Sequence, residues 1–97
     1  MHLNSSQFRK FAILAARSAD DKKAMDISLL DLKRTQGSIS DYVLILSANS
    51  QVHLRILRQF VEESLEKAGL EPLHQDGMRS GNWTALDYGG LVVHIFR

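Results

Sequence analysis

Residues 41–48 read DYVLILSA, apolar on consecutive positions and partly β-branched. Successive side chains of a strand point to opposite faces, so this run predicts a central strand covered on both faces. Helical periods flank it on either side. From Ser50 to Ala68, Leu57, Phe60, Val61, Ser64, Leu65 and Ala68 fall on one stripe. Asn49 or Ser50 supplies the cap, Gly69 ends the helix, and Leu70 is placed to pack back on the last turn. Glu63 and Lys67 stand four apart on the opposite face, in the favourable order. Upstream, Asn4, Ser5 or Ser6 caps a helix expected to run to about Lys23. Its apolar stripe is Phe8, Phe11, Ala12, Ala15, Ala16 and Ala19.

The remaining segments read as strands and turns. In MDISLLDLK, Met25, Ile27 and Leu29 alternate with polar neighbours before Leu30 and Leu32 shift the phase, as in a strand with an irregularity. TQGSIS is a loop. Glu71-Pro72-Leu73-His74-Gln75 reads as a short strand, with Pro72 near its start where a missing amide is tolerated. DGMRSGN is a glycine-bounded loop, and WTALD-YGG-LVVHIF is a hairpin. The order is helix, strand, strand, helix and three strands. It predicts an α/β domain with a mixed sheet of about five strands and two main helices.

At 97 residues the chain has room for one core, and we read residues 1–97 as a single domain. Twelve basic against 11 acidic side chains leave a net charge of +1, too even for long-range attraction to nucleic acid or membrane. A partner must then be recognised by a local surface. With no cysteine there is no disulfide framework and no thiolate metal site, which fits a reducing, cytoplasmic setting. The apolar run Tyr42 to Leu46 is far short of the roughly 20 residues that cross a bilayer. Arg9-Lys10 before FAILAA imitates an export signal, but its short apolar part reads better as the amphipathic helix already described.

The chemistry that these residues exclude is informative. His2, His53, His74 and His94 never stand three or four apart, and no His-Glu-x-x-His element is present, so a metal site has no support. No glycine-rich phosphate loop follows a strand. Gly37-Ser38 is similar to the glycine-serine pair of nucleotidyltransferases, which hold two metal ions with carboxylates alternating on one strand face. Here no Asp or Glu stands two residues from another, so that site cannot be assembled in its usual way. Ser38, Ser40 and Ser47 have no neighbouring histidine, and nothing selects a spatial pairing with His94. The basic run from His53 to Arg58 reads as a solvated helix face without interleaved aromatic residues for stacking RNA bases.

KKAMDISLLDL, SDYVLILSANS, KAGLEPLH and GNWTALDYGGLVVHIF together resemble the ribosomal silencing factor family, also called Iojap or DUF143-type. The likeness runs from about Lys22 to Phe96, and the Trp83-to-His94 block is its most specific part. It implies a nucleotidyltransferase-like core without catalytic carboxylates, no cofactor and no enzymatic activity. It implies a repressor of translation that binds the large ribosomal subunit at large-subunit protein fourteen, with limited contact to ribosomal RNA, and blocks joining of the small subunit. The alternative from a different class is a nucleotidyltransferase-like, nucleotide-binding enzyme. A second copy of the chain is a further candidate partner, through the sheet edge left unshielded where the family's usual C-terminal tail is missing after Arg97.

Two further departures bear on the site. The family has Gly-Asp-Val-Val-Val-His at the corner where this chain has Gly89-Gly90-Leu91, and Gly-Thr-Ser-x-Arg where it has Ala48-Asn49-Ser50-Gln51. The expected partner-binding residues are Trp83, Leu86, Asp87, Tyr88, Gly89, Gly90 and His94. Trp83 and Tyr88 would be apolar anchors, Asp87 the partner of a basic group, and the glycines the turn. Alternation puts Trp83, Ala85 and Asp87 on one face and Thr84 and Leu86 on the other, leaving open which set meets the core. His94 is either a hydrogen-bonding residue at the rim or a residue of the sheet.

Overall fold

The computed structural model describes residues 3–33, 37 and 40–97. The elements are α1 (Ser5–Asp21), β1 (Met25–Asp31), β2 (Tyr42–Ser47), α2 (Gln51–Lys67), β3 (His74–Asp76), β4 (Trp83–Asp87) and β5 (Leu91–Phe96). The five strands form one sheet in the order β1-β2-β5-β4-β3. β2 and β5 run parallel and the other pairs antiparallel, so the sheet is mixed as expected.

Local chemistry explains where the helices begin and end. Asn4 accepts from the Gln7 amide at 3.0 Å while the Gln7 side chain accepts from the Asn4 amide at 2.9 Å, a reciprocal capping box. Ser50 Oγ accepts from the His53 amide at 3.0 Å and caps α2. Gly69 takes φ +94°, which lets the Leu70 amide donate to the Leu65 carbonyl at 2.9 Å and turns Leu70 back into the core. His53 ties the two helices together: its Nδ1 accepts from the Asn49 amide at 3.0 Å, so Nε2 donates to the Lys22 carbonyl at 2.7 Å.

Both helices lie on one face of the sheet, α1 over β1 and β2, α2 over β4 and β5. Ala12, Ala15 and Ala19 of α1 are fully buried, and such small side chains let a helix backbone approach its neighbours closely. α2 buries Leu54, Leu57, Val61 and Leu65. Its buried stripe is turned slightly from the expected one: Leu54 joins it, Phe60 and Ser64 are half-buried, and Ala68 is exposed. Beneath the helices lie Leu44, Leu46, Leu86, Leu91, Val93 and Ile95, all fully buried. Thr84, a fully buried polar member of this layer, donates from Oγ1 to the Asp76 carbonyl at 2.8 Å.

Three expectations require correction. β2 is covered on one face only: Tyr42, Leu44 and Leu46 are buried while Val43, Ile45 and Ser47 stay half-exposed. The third strand begins at His74 and not Glu71, because pairing with β4 starts at His74 opposite Asp87 and Pro72 has no amide to contribute. Glu63 accepts from Gln59 at 3.1 Å, and no salt bridge joins it to Lys67. β1 does carry an irregularity, but between Met25 and Ser28, with Asp26 at φ +50°, and not at Leu30, where pairing with β2 is regular from Ser28 to Asp31. The loop read over 35–40, Ser38 of the glycine-serine pair included, lies outside the described residues except for Gly37 and Ser40. Among the described residues no helix is long and apolar enough to cross a membrane.

Candidate partner-binding site

Among the described residues, no element packs over the face of the sheet turned away from the helices. Its side chains follow from the register. One row across the strands is Leu30, Val43, Val92, Asp87 and His74; the next is Ser28, Ile45, His94, Ala85 and Asp76. A third joins Met25, Ser47, Phe96 and Trp83. Seven of these positions, Met25, Leu30, Val43, Ile45, Trp83, Val92 and Phe96, carry large apolar groups, and Leu30, Met25 and Phe96 are each about two-fifths exposed, at 41%, 42% and 43%. A contiguous apolar surface of this kind is uncommon on a monomer unless something binds it.

His94 sits at the middle of this face, flanked by Ile45 and Ala85. Its ring stacks against those of Trp83 and Phe96, which are paired with each other across β4 and β5, with centroids 6.1 and 6.0 Å away and interplanar angles of 25° and 16°. The Trp83 indole N–H donates to His94 Nδ1 at 3.2 Å. Burial lowers the His94 pKa, against a smaller opposing pull from the Asp87 carboxylate. His94 Nδ1 is thus engaged by an indole and not by a serine hydroxyl.

The hairpin corner is organised by Asp87, whose Oδ1 accepts from the Gly89 amide at 2.8 Å. Gly89 takes φ +88°, a left-handed conformation that glycine adopts freely. Oδ2 of Asp87 makes no hydrogen bond among the described residues.

The expected site residues therefore separate. Trp83, Asp87 and His94 share the open face, and Gly89 shapes the corner beside them. Leu86 and Tyr88 do not: Leu86 is fully buried and Tyr88 is 2% exposed, because Tyr88 continues the inward phase of Thr84 and Leu86. Among the described residues the buried Tyr88 hydroxyl has no hydrogen-bond partner, and burial, aided by Glu62, pushes its pKa up and keeps it protonated. Gly90 faces the Phe8 ring of α1. Residues that the sequence reading missed are Leu30, Val43, Ile45, Val92 and Phe96. Val92 and Phe96 stand two residues either side of His94, so strand parity from His94 was the signal that would have found them. Among the described residues no group of three or more His, Cys, Asp or Glu side chains is placed to hold a metal ion.

Comparison with known proteins bears on what this face meets. A ribosomal silencing factor RsfS of Bacillus subtilis is 30% identical over 83 residues, covering 86% of this chain and 70% of that one. The chloroplastic protein Iojap of Zea mays is 31% identical over 86 residues, covering 89% of this chain and 37% of that one. The crystal structure of protein CV0518 from Chromobacterium violaceum superposes with a TM-score of 0.85 at 27% identity, over 91% of this chain and 72% of that one. The family described as "Ribosomal silencing factor during starvation" matches residues 5–97, and the chain belongs to that family, RsfS.

Proposed function

We propose that the chain represses translation by binding the large ribosomal subunit at large-subunit protein fourteen and sterically blocking the small subunit. Membership of a silencing family supports the ribosome as the target. The observation that carries the docking reading is the uncovered sheet face, with the Trp83–His94–Phe96 stack at its centre. Five strands at about 4.8 Å and six residues at about 3.3 Å span roughly 24 by 20 Å. That is comparable in scale with the roughly 800 Å² that each partner buries in a standard interface. Trp83 is the aromatic anchor beside Phe96, Val43, Ile45 and Val92 extend the apolar surface across β2 and β5, and Oδ2 of Asp87 is available to a basic group.

The mechanism is occupancy, without a catalytic step. Subunit joining requires contacts of a few ångströms, and the folded chain measures 34 × 28 × 22 Å. A body of that thickness on the joining face keeps the subunits apart, and the cytoplasm is where it would act. Sedimentation with purified large subunits tests the first part, and light scattering during subunit joining tests the second. Co-sedimentation and slowed joining are expected; joining at the normal rate with the chain saturating its site overturns the reading.

A further inference from the structure

An indole N–H can only donate, so the ring nitrogen that receives it must carry a lone pair. Trp83 Nε1–H therefore holds His94 in the neutral form whose proton is on Nε2. The Phe96 ring also stacks on the imidazole, at 6.0 Å and 16°. Nε2 has no partner among the described residues, and it is not one of the buried unpartnered atoms, so it reaches solvent on the open face. The result is an N–H donor of fixed direction whose nearest cross-strand neighbours, Ile45 and Ala85, are apolar.

We propose that Trp83 is a positioning residue for recognition: it presents His94 Nε2–H as a directional donor to a carbonyl or carboxylate oxygen of the docked ribosomal protein. This rests on the docking reading above and adds the chemistry of its central contact. A donor amid apolar groups gives selectivity, because a partner without an acceptor there leaves a desolvated N–H unpaired. Protonation of His94 would put a second N–H against the indole N–H and break the arrangement. The groups facing the ring from the neighbouring strands are Ile45 on β2, and Trp83, Ala85 and Asp87 on β4, so Asp87 is the one charge among them.

The test has two arms that fail independently. In the free protein, nitrogen NMR of the imidazole follows His94 through its titration in wild type and in Trp83→Phe, which keeps a stacked ring and loses the donor. The expected result is a rise in the His94 midpoint and appearance of the Nδ1–H tautomer in Trp83→Phe; an unchanged titration and tautomer overturn the inference whatever the protein binds. In the second arm, affinity for purified large-subunit protein fourteen is measured above the His94 midpoint. His94→Phe should weaken binding about ten-fold or more, whereas His94→Gln, with an amide N–H near the Nε2 position, should recover most of it. Equal losses in the two variants overturn the donor role. Failure of wild type to bind overturns the docking reading and the recognition role with it, while the tautomer assignment is decided by the first arm.

Discussion

Gly90 at the β4–β5 corner lies so close to the Phe8 ring of α1 that a β-carbon on Gly90 would overlap ring atoms Cδ2, Cε2 and Cγ. The glycine and the phenylalanine therefore form a linked pair in this chain. Gly90→Ala and Gly90→Asp should each destabilise the fold by about 1–3 kcal/mol through overpacking. In a Phe8→Leu background the penalty should shrink, with a coupling of at least about 0.5 kcal/mol in a double-mutant cycle. Urea unfolding of the four proteins of each cycle measures it, and additive effects would show that the ring yields freely.

Trp83 and Leu86 belong to one strand and one expected site, yet point to opposite faces of the sheet. Trp83→Ala should leave the chain folded and weaken binding to large subunits by about 2 kcal/mol or more. Leu86→Ala should do the reverse, lowering unfolding free energy by about 2–5 kcal/mol through a core cavity. Circular dichroism melts set beside a large-subunit pull-down distinguish them. Unchanged affinity for Trp83→Ala removes it from the interface.

Tyr88 brings a hydroxyl into the core, where none of the described residues partners it. Burying such a group unpaired costs about 1–3 kcal/mol, so Tyr88→Phe should leave stability unchanged or raise it by up to about 1 kcal/mol. A loss larger than about 1 kcal/mol would show that the hydroxyl is satisfied by bound water. Thermal melts of the two proteins decide the matter.

What could be read from the sequence is what local chemistry determines. The caps at Asn4 and Ser50, the left-handed Gly69 and the hairpin at Asp87-Tyr88-Gly89 are each specified within a few residues, and each is present. Coverage of the sheet is not local. A run such as YVLIL has the same appearance whether its second face meets a helix layer of the same chain or is left open, and here it is open. Alternation grouped Trp83 with Asp87 but did not orient the pair. The charge on Asp87 was the available clue that this set faces outward, with Thr84 tolerated inside because the Asp76 carbonyl accepts its hydrogen bond. The family resemblance made Tyr88 a docking anchor, whereas the strand phase carries its ring inward.

The burial that lowers the His94 pKa also links stability to pH. Its ordinary value of 6.5 applies in the unfolded chain, and the folded value lies below it. Between the two, the unfolded chain binds a proton that the folded chain does not, so stability rises with pH across that window. The contribution of His94 is complete above pH 6.5 and is lost as pH falls toward the folded value. Wild type minus His94→Gln, compared by urea unfolding at intervals from about pH 5 to pH 8, isolates this step from the titration of the carboxylates. The difference should grow with pH through the window and level off above it. A difference that is flat, or that falls as pH rises, would mean that the ring is at least as easily protonated on the folded sheet as in water.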